Sequence, residues 1–158
     1  MEIIQYFDTL TYLPATYFAY DAAADVINYD DGRLEDANGR LCLLHETAHA
    51  LLGHVSFEAD IELFVMELRA WQKTRELAAL FDVAIDQVFV TDCLASYEQW
   101  LTARATCPDC ANFCLNKTMS TFACWRCGCQ WRVNDRRDCA VRRWRIGDSV
   151  RSGTQKPA

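Results

Sequence analysis

A basic start, a long apolar stretch and a repeat of domain size are all missing from this chain. The opening residues Met1-Glu2-Ile3-Ile4-Gln5-Tyr6-Phe7-Asp8 do not read as a signal peptide, and no long apolar stretch indicates a membrane span. Proline and glycine are scarce, at three and six of 158 residues, while 51% of the chain is hydrophobic, so disordered and fibrous classes drop out. The expectation is a soluble, cytoplasmic protein with a buried core and no membrane partner.

Cysteine is the exception to this sparseness. Seven of the nine cysteines fall between positions 107 and 139, in paired short spacings that suit a metal better than disulfides. Charge divides the chain in the same place. Residues 1–102 carry 18 Asp and Glu against 5 Lys and Arg, whereas residues 103–158 carry 4 against 11. The net charge of −6 therefore conceals an acidic module followed by a basic one. The expected boundaries are 1–104 for the first module, 105–145 for the second and 146–158 for a flexible polar tail.

Residues 1–20, interrupted by Pro14, read as a short helix or a strand pair. Val26-Ile27-Asn28-Tyr29 runs into the turn residues Asp30-Asp31-Gly32, and Asn38-Gly39 supplies a second turn signal, so a short hairpin is expected before the next helix. Leu41, Leu44, Ala48, Leu51 and Leu52 recur at helical spacing, with Gly53 where a C-terminal cap would sit. Ser56 can cap a helix of about 25 residues running through Ile61, Phe64, Leu68, Trp71 and Leu77 towards Phe81. A further helix is expected after Thr91, through Leu94, Tyr97, Trp100 and Leu101. The predicted class is α+β: a small, mostly helical zincin-like domain with a short β-hairpin or sheet, followed by a zinc ribbon.

Only three histidines exist, all between positions 45 and 54. His45 and His49 are four residues apart on the expected helix, so both project from one face and can share a zinc ion, with Glu46 beside them to handle a proton. In this chemistry the carboxylate takes a proton from zinc-bound water as it attacks a peptide carbonyl. A catalytic zinc needs a third protein ligand, and the candidates are His54, Glu58, Asp60, Glu62 and Glu67. The extended three-histidine form of the motif is absent, because Leu52 and Val55 stand at its later glycine and histidine positions. His54 is displaced by one residue. Glu58, Glu62, Arg69 and Lys73 fall on one charged stripe, whereas Glu67 shares its face with Leu63, Phe64, Ala70 and Trp71, where a carboxylate needs a partner or a metal. Glu67 is the preferred third ligand, and a salt-bridged core glutamate is the alternative. Tyr29, His54 and Tyr97 stand as candidate transition-state donors.

His45-Glu46-Thr47-Ala48-His49-Ala50-Leu51-Leu52-Gly53-His54, followed by Glu67-Leu68-Arg69-Ala70-Trp71, resembles the ImmA/IrrE-like zinc metallopeptidases over roughly residues 26–80. In that family an acid on the following helix completes the site. The resemblance implies a minimal zincin fold and a proteolytic role, often against helix-turn-helix repressors in phage or mobile-element regulation. No helix-turn-helix domain is recognisable in this chain itself.

In the basic module, Cys107-Pro108-Asp109-Cys110 and Cys124-Trp125-Arg126-Cys127-Gly128 form two Cys-x-x-Cys knuckles separated by thirteen residues. That spacing fits a four-thiolate structural zinc in a ribbon, with Phe122 and Trp131 over a small core. Cys127-Gly128-Cys129 offers a rival pair, and Cys114 and Cys139 are further alternatives, while Cys42 and Cys93 read as buried apolar residues. Arg126, Arg132, Arg136, Arg137, Arg142, Arg143 and Arg145 interleave with Trp125, Trp131 and Trp144, a combination that suits nucleic acid or an acidic protein. The whole reads as an intracellular zinc endopeptidase with one catalytic and one structural zinc, whose ribbon recruits a regulatory or DNA-bound protein. Two alternatives remain: a non-catalytic zinc-binding interaction module, and a SprT-like DNA-associated peptidase, whose later third histidine in a His-Gly context is missing here.

Overall fold

The computed structural model describes residues 2–114, 116–118, 120–134 and 139–147, with only the main chain of Lys117. Arg136, Arg137 and residues 148–158 of the expected tail lie outside the described residues. The chain forms two compact units, Met1–Phe57 with Ile61–Tyr97, and Glu58–Asp60 with Glu98–Ala158. Their elements are α+β throughout, and among the described residues no helix is long and apolar enough to cross a membrane.

The first unit opens with the short helix α1 (Glu2–Tyr6) and then builds a three-stranded sheet from β1 (Thr11–Ala15), β2 (Ala19–Asp21) and β3 (Val26–Asp30). The strand order is β1-β3-β2, with β1 parallel and β2 antiparallel to β3. Pro14 sits in β1, an edge strand, where its missing N–H does least damage. The hairpin found before the histidine-bearing helix is the β2–β3 pair, so both of its strands lie ahead of the expected turn at Asp31-Gly32. Asn38-Gly39, expected to mark a turn, instead lies in the first turn of α2 (Ala37–Leu51), which Asp36 caps by accepting the Gly39 N–H at 3.2 Å. Glycine is needed there because a Cβ would lie 1.9 Å from the Arg33 carbonyl oxygen.

Helix α2 buries Leu41, Leu43, Leu44 and Ala48 completely or nearly so. Each leucine contributes about 1.5–3 kcal/mol, well beyond what helix propensity alone could supply. Tyr12 on β1 ties the sheet to this helix through the Thr47 hydroxyl at 3.0 Å, while that hydroxyl donates to the Leu43 carbonyl at 2.8 Å.

Helix α3 (Asp60–Leu80) is shorter than its apolar pattern suggests, and Ile61 and Leu68 are exposed. The face it buries is Glu67, Ala70, Trp71, Thr74, Leu77 and Ala78, an uninterrupted three-and-four repeat in which two positions are polar. Helix α4 (Gln87–Ala105) begins four residues before Thr91, because Asp86 accepts the N–H groups of Val88 and Phe89 and starts it earlier.

The second unit takes the end of α4 and a four-stranded antiparallel sheet, β4 (Asn116–Thr118), β5 (Thr121–Ala123), β6 (Gln130–Val133) and β7 (Arg143–Arg145), in that order. The stacked rings of Phe122 and Trp131, 5.3 Å apart, fill its core. Arg104, near the expected boundary between modules, is itself buried here. It donates to Asp60 through Nε (2.8 Å) and Nη2 (3.2 Å) and to the Asn134 carbonyl through Nη1 (2.6 Å), and its own carbonyl accepts the Trp131 indole N–H at 2.9 Å. Asp60, a candidate metal ligand from sequence, is thus committed to a buried ion pair whose separation would leave an uncompensated charge at a cost of about 3–5 kcal/mol.

Candidate metal centres

Two clusters bring three or more possible ligands together among the described residues: His45, His49 and Glu67 in the first unit, and Cys107, Cys110, Cys124 and Cys127 in the second, each with its donor atoms within 4.8 Å of one another. Of the five candidates for third ligand in the first cluster, Glu67 is the one whose carboxylate meets the Nε2 atoms of both histidines.

His45 Nε2 lies 3.2 Å from both His49 Nε2 and Glu67 Oε2, and Glu67 Oε1 is 3.6 Å from His49 Nε2. Donors about 2.0–2.1 Å from a tetrahedral ion stand about 3.3 Å apart, so this spacing accommodates a zinc-sized ion with little movement. Burial alone would raise the pKa of Glu67, but its bonds to His45 and His49 outweigh that and hold the carboxyl well below the usual range. A carboxylate only 3% exposed needs a cationic partner, and with two imidazoles beside it the three donors form a set that could hold a metal ion.

The outer nitrogens of the two histidines are also engaged. Thr74 donates its hydroxyl proton to the Ala70 carbonyl at 2.7 Å, so its oxygen can only accept from His45 Nδ1 at 3.5 Å. In a neutral ring, a proton on Nδ1 facing Thr74 leaves the lone pair on Nε2, the nitrogen that faces Glu67 and would bind a metal. Trp71 stacks on the same ring at 4.1 Å and fixes its plane. His54 Nδ1 meets His49 Nδ1 at 3.0 Å. Burial, then the adjacent His49, lowers the pKa of His54, which favours a neutral ring able to accept the His49 proton.

A glycine makes the His54 contact reachable. Helix α2 ends with Gly53 at φ 64°, the Gly53 N–H bonding Ala50 and the His54 N–H returning to the His49 carbonyl. This left-handed cap folds the chain back so that His54 faces His49. Thr74 was not singled out from sequence, although its position seven residues after Glu67 puts it about 20° round the same helix. His54→Ala is expected to weaken metal binding about 10- to 100-fold in a chelator competition, and Thr74→Val by less, because its bond is the longer one.

Glu46 follows His45 by about 100° round α2 and precedes His49 by about 60°, so it flanks the same site. Its Oε2 accepts the backbone N–H of Tyr20 at 2.8 Å. Tyr20 lies on β2, the edge strand opposite β1, where it stands opposite Ile27 of β3. Of the possible donors near the site, His54 is held against His49 and Tyr29 packs edge-on to Tyr12, with ring centroids 6.5 Å apart.

In the second cluster, Cys107 Sγ is 3.6 Å from Cys127 Sγ, and Cys110 Sγ is 3.6 Å from Cys124 Sγ. Sulfurs about 2.3 Å from a tetrahedral zinc stand about 3.8 Å apart, so the four thiols also fit an ion. The knuckles share one backbone device, a left-handed residue just after the second cysteine: Ala111 at φ 56° and Gly128 at φ 77°.

Burial opposes a thiolate at Cys107 and Cys124. The N–H groups of Asp109 and Cys110 point at the first sulfur and those of Arg126 and Cys127 at the second, and these win, lowering Cys107 and bringing Cys124 down to about 6. At Cys127 the Cys129 N–H favours the thiolate, yet burial and the three neighbouring sulfurs push the thiol up to about 12. One cation among them relieves that conflict. Cys114, Cys129 and Cys139 stand outside the set: Cys114 is buried in the small core, Cys129 pairs its carbonyl with the Cys124 N–H, and Cys139 accepts from Asn134. Cys42, expected to be buried, is half-buried and its thiol is pushed up to about 11, chiefly by burial. No family model, curated protein or solved structure matches this chain.

Proposed function

We propose that this chain is a zinc-dependent endopeptidase. The observation that carries the reading is the contrast between its two clusters: four thiols would close around an ion on all sides, whereas two imidazoles and one carboxylate form a three-donor set with a second carboxylate, Glu46, beside it. Zinc held by three protein donors keeps a position open, lowers the pKa of water there to about 7 and polarises a carbonyl.

Glu46 accepts the proton of the attacking water and passes it to the leaving amine. The Tyr20 N–H holds one carboxylate oxygen in place, and the other oxygen has the lone pairs to take the proton. Because Tyr20 belongs to an edge strand, an extended peptide aligned along β2 would bring its carbonyls to this carboxylate. The resemblance to ImmA/IrrE-like metallopeptidases supports the assignment and suggests a substrate class, DNA-bound regulatory proteins of the helix-turn-helix kind, which the enzyme would meet in the cytoplasm.

A second reading has one observation in its favour. The bond from Tyr20 to Glu46 is also what a purely structural tie between β2 and α2 would look like, in a chain that binds metal only to hold its shape. Incubating the full chain with an unfolded protein and with a helix-turn-helix repressor separates the two. Cleavage that stops when a chelator removes the first ion and returns with added zinc is the expected result. A preparation holding two zinc ions per chain that cuts neither substrate would favour the structural reading.

A further inference from the structure

The peptidase reading uses none of the outward side of the ribbon sheet. Residues directly opposite one another on neighbouring strands share a face. Phe122, Trp131 and Val133 point into the core, so the other face carries Thr121 on β5, Arg132 on β6 and Trp144 on β7, a row paired directly across three strands. Ala123 and Gln130 continue it on one side. Ile146, two residues beyond Trp144, extends the row, held by its N–H to the Gln130 carbonyl at 2.8 Å. Trp144 and Ile146 are 42% and 49% exposed, and the Arg132 guanidinium lies over the Trp144 ring with Cζ 5.4 Å from its centroid.

An exposed indole and an exposed isoleucine side by side on one sheet face call for a partner. The charge around them identifies its chemistry. Between Cys110 and Gly147 the only acidic residues are Asp135 and Asp138, against Lys117 and seven arginines. A divalent ion in four thiolates carries two further negative charges, which still leaves the unit cationic.

We propose that the outer face of β5, β6 and β7 binds single-stranded nucleic acid, with a base stacked on Trp144 and Arg132 pairing with the phosphate beside it. An acidic protein would satisfy the charge but has no use for an indole face aligned with a guanidinium, whereas an unpaired base uses both. A duplex is disfavoured because its bases are already stacked and offer no free face to the indole. The proposal stands apart from the peptidase reading and survives if that reading fails.

The test uses the full-length, metal-loaded chain and a fluorescent oligothymidylate of about twelve nucleotides, read by anisotropy. Trp144→Ala should bind about 5- to 100-fold more weakly, the loss of one base stack, and Trp144→Phe should recover most of it. Arg132→Gln should flatten the plot of log affinity against log salt by about 0.7, one phosphate contact. With the unaltered chain, an abasic oligomer of equal length should bind more weakly than oligothymidylate, a comparison that needs no variant to fold. Equal binding of the abasic strand, or displacement of the oligonucleotide by polyglutamate at equal charge, would overturn the proposal and make an acidic protein the partner.

Discussion

Glu46→Gln should lower peptide-bond cleavage by about 10²- to 10⁴-fold while both metal ions remain bound. That range is what a positioned general base contributes, and the substitution isolates it cleanly here. The glutamine carbonyl oxygen can still accept the Tyr20 N–H that Glu46 accepts at 2.8 Å, so the tie between β2 and α2 is kept. His45, His49 and Glu67 are untouched, so the metal content should match that of the parent. Only the capacity to take and return a proton disappears. Cleavage rates with and without zinc, together with metal content by mass spectrometry, check the outcome. A variant that cleaves at the parental rate would remove Glu46 from the chemistry and leave it as a structural acceptor. One that loses both activity and metal would show that the carboxylate supports the site rather than the reaction.

The parts of this site that were legible in the sequence are those set by one helix. Four residues make about one turn, so His45 and His49 had to share a face wherever the helix went. The preference for Glu67 had the same origin, since periodicity separated it from Glu58 and Glu62 before any packing was known. What could not be read depends on chain segments meeting across long separations. The contact of Tyr20 with Glu46 spans 26 residues and that of Thr74 with His45 spans 29, and neither leaves a local pattern. Asn38-Gly39 shows the opposite difficulty. Its turn chemistry is real in isolation, but the Asp36 cap and the close approach of the Arg33 carbonyl draw the glycine into α2. Ile61 and Leu68 fit a helical stripe that the core does not use, because the buried face runs through the polar Glu67 and Thr74 instead. A hydrophobicity pattern discounts polar side chains, and in this protein two of them lie on the buried face because they serve the site.

Cys124→Ser should unfold the small sheet of the second unit and remove one metal equivalent, leaving the ion between His45, His49 and Glu67 in place. The core of that sheet rests on Phe122, Trp131 and Val133 with the buried sulfurs among them, and burying two aromatic rings and a valine stabilises it by only several kcal/mol. Apparent binding energies of about 10–16 kcal/mol for structural zinc in comparable small modules exceed that, so an ion bound by these four thiols would decide whether the sheet forms. Serine is nearly isosteric with cysteine but cannot become the anion that the N–H groups of Arg126 and Cys127 stabilise at position 124. Acid should act in the same direction. A thiol whose folded pKa is lowered from 9.0 to about 6 contributes stability that is present above the unfolded value and is lost as pH falls through the folded one. Metal release from the unaltered ribbon is therefore expected on acidification, not in the alkaline range. Near-ultraviolet circular dichroism from the Phe122–Trp131 stack and metal content, followed together against pH and in the variant, measure both effects. A Cys124→Ser chain that kept its aromatic signal without the second ion would show that the apolar core suffices and that the thiols serve some other end.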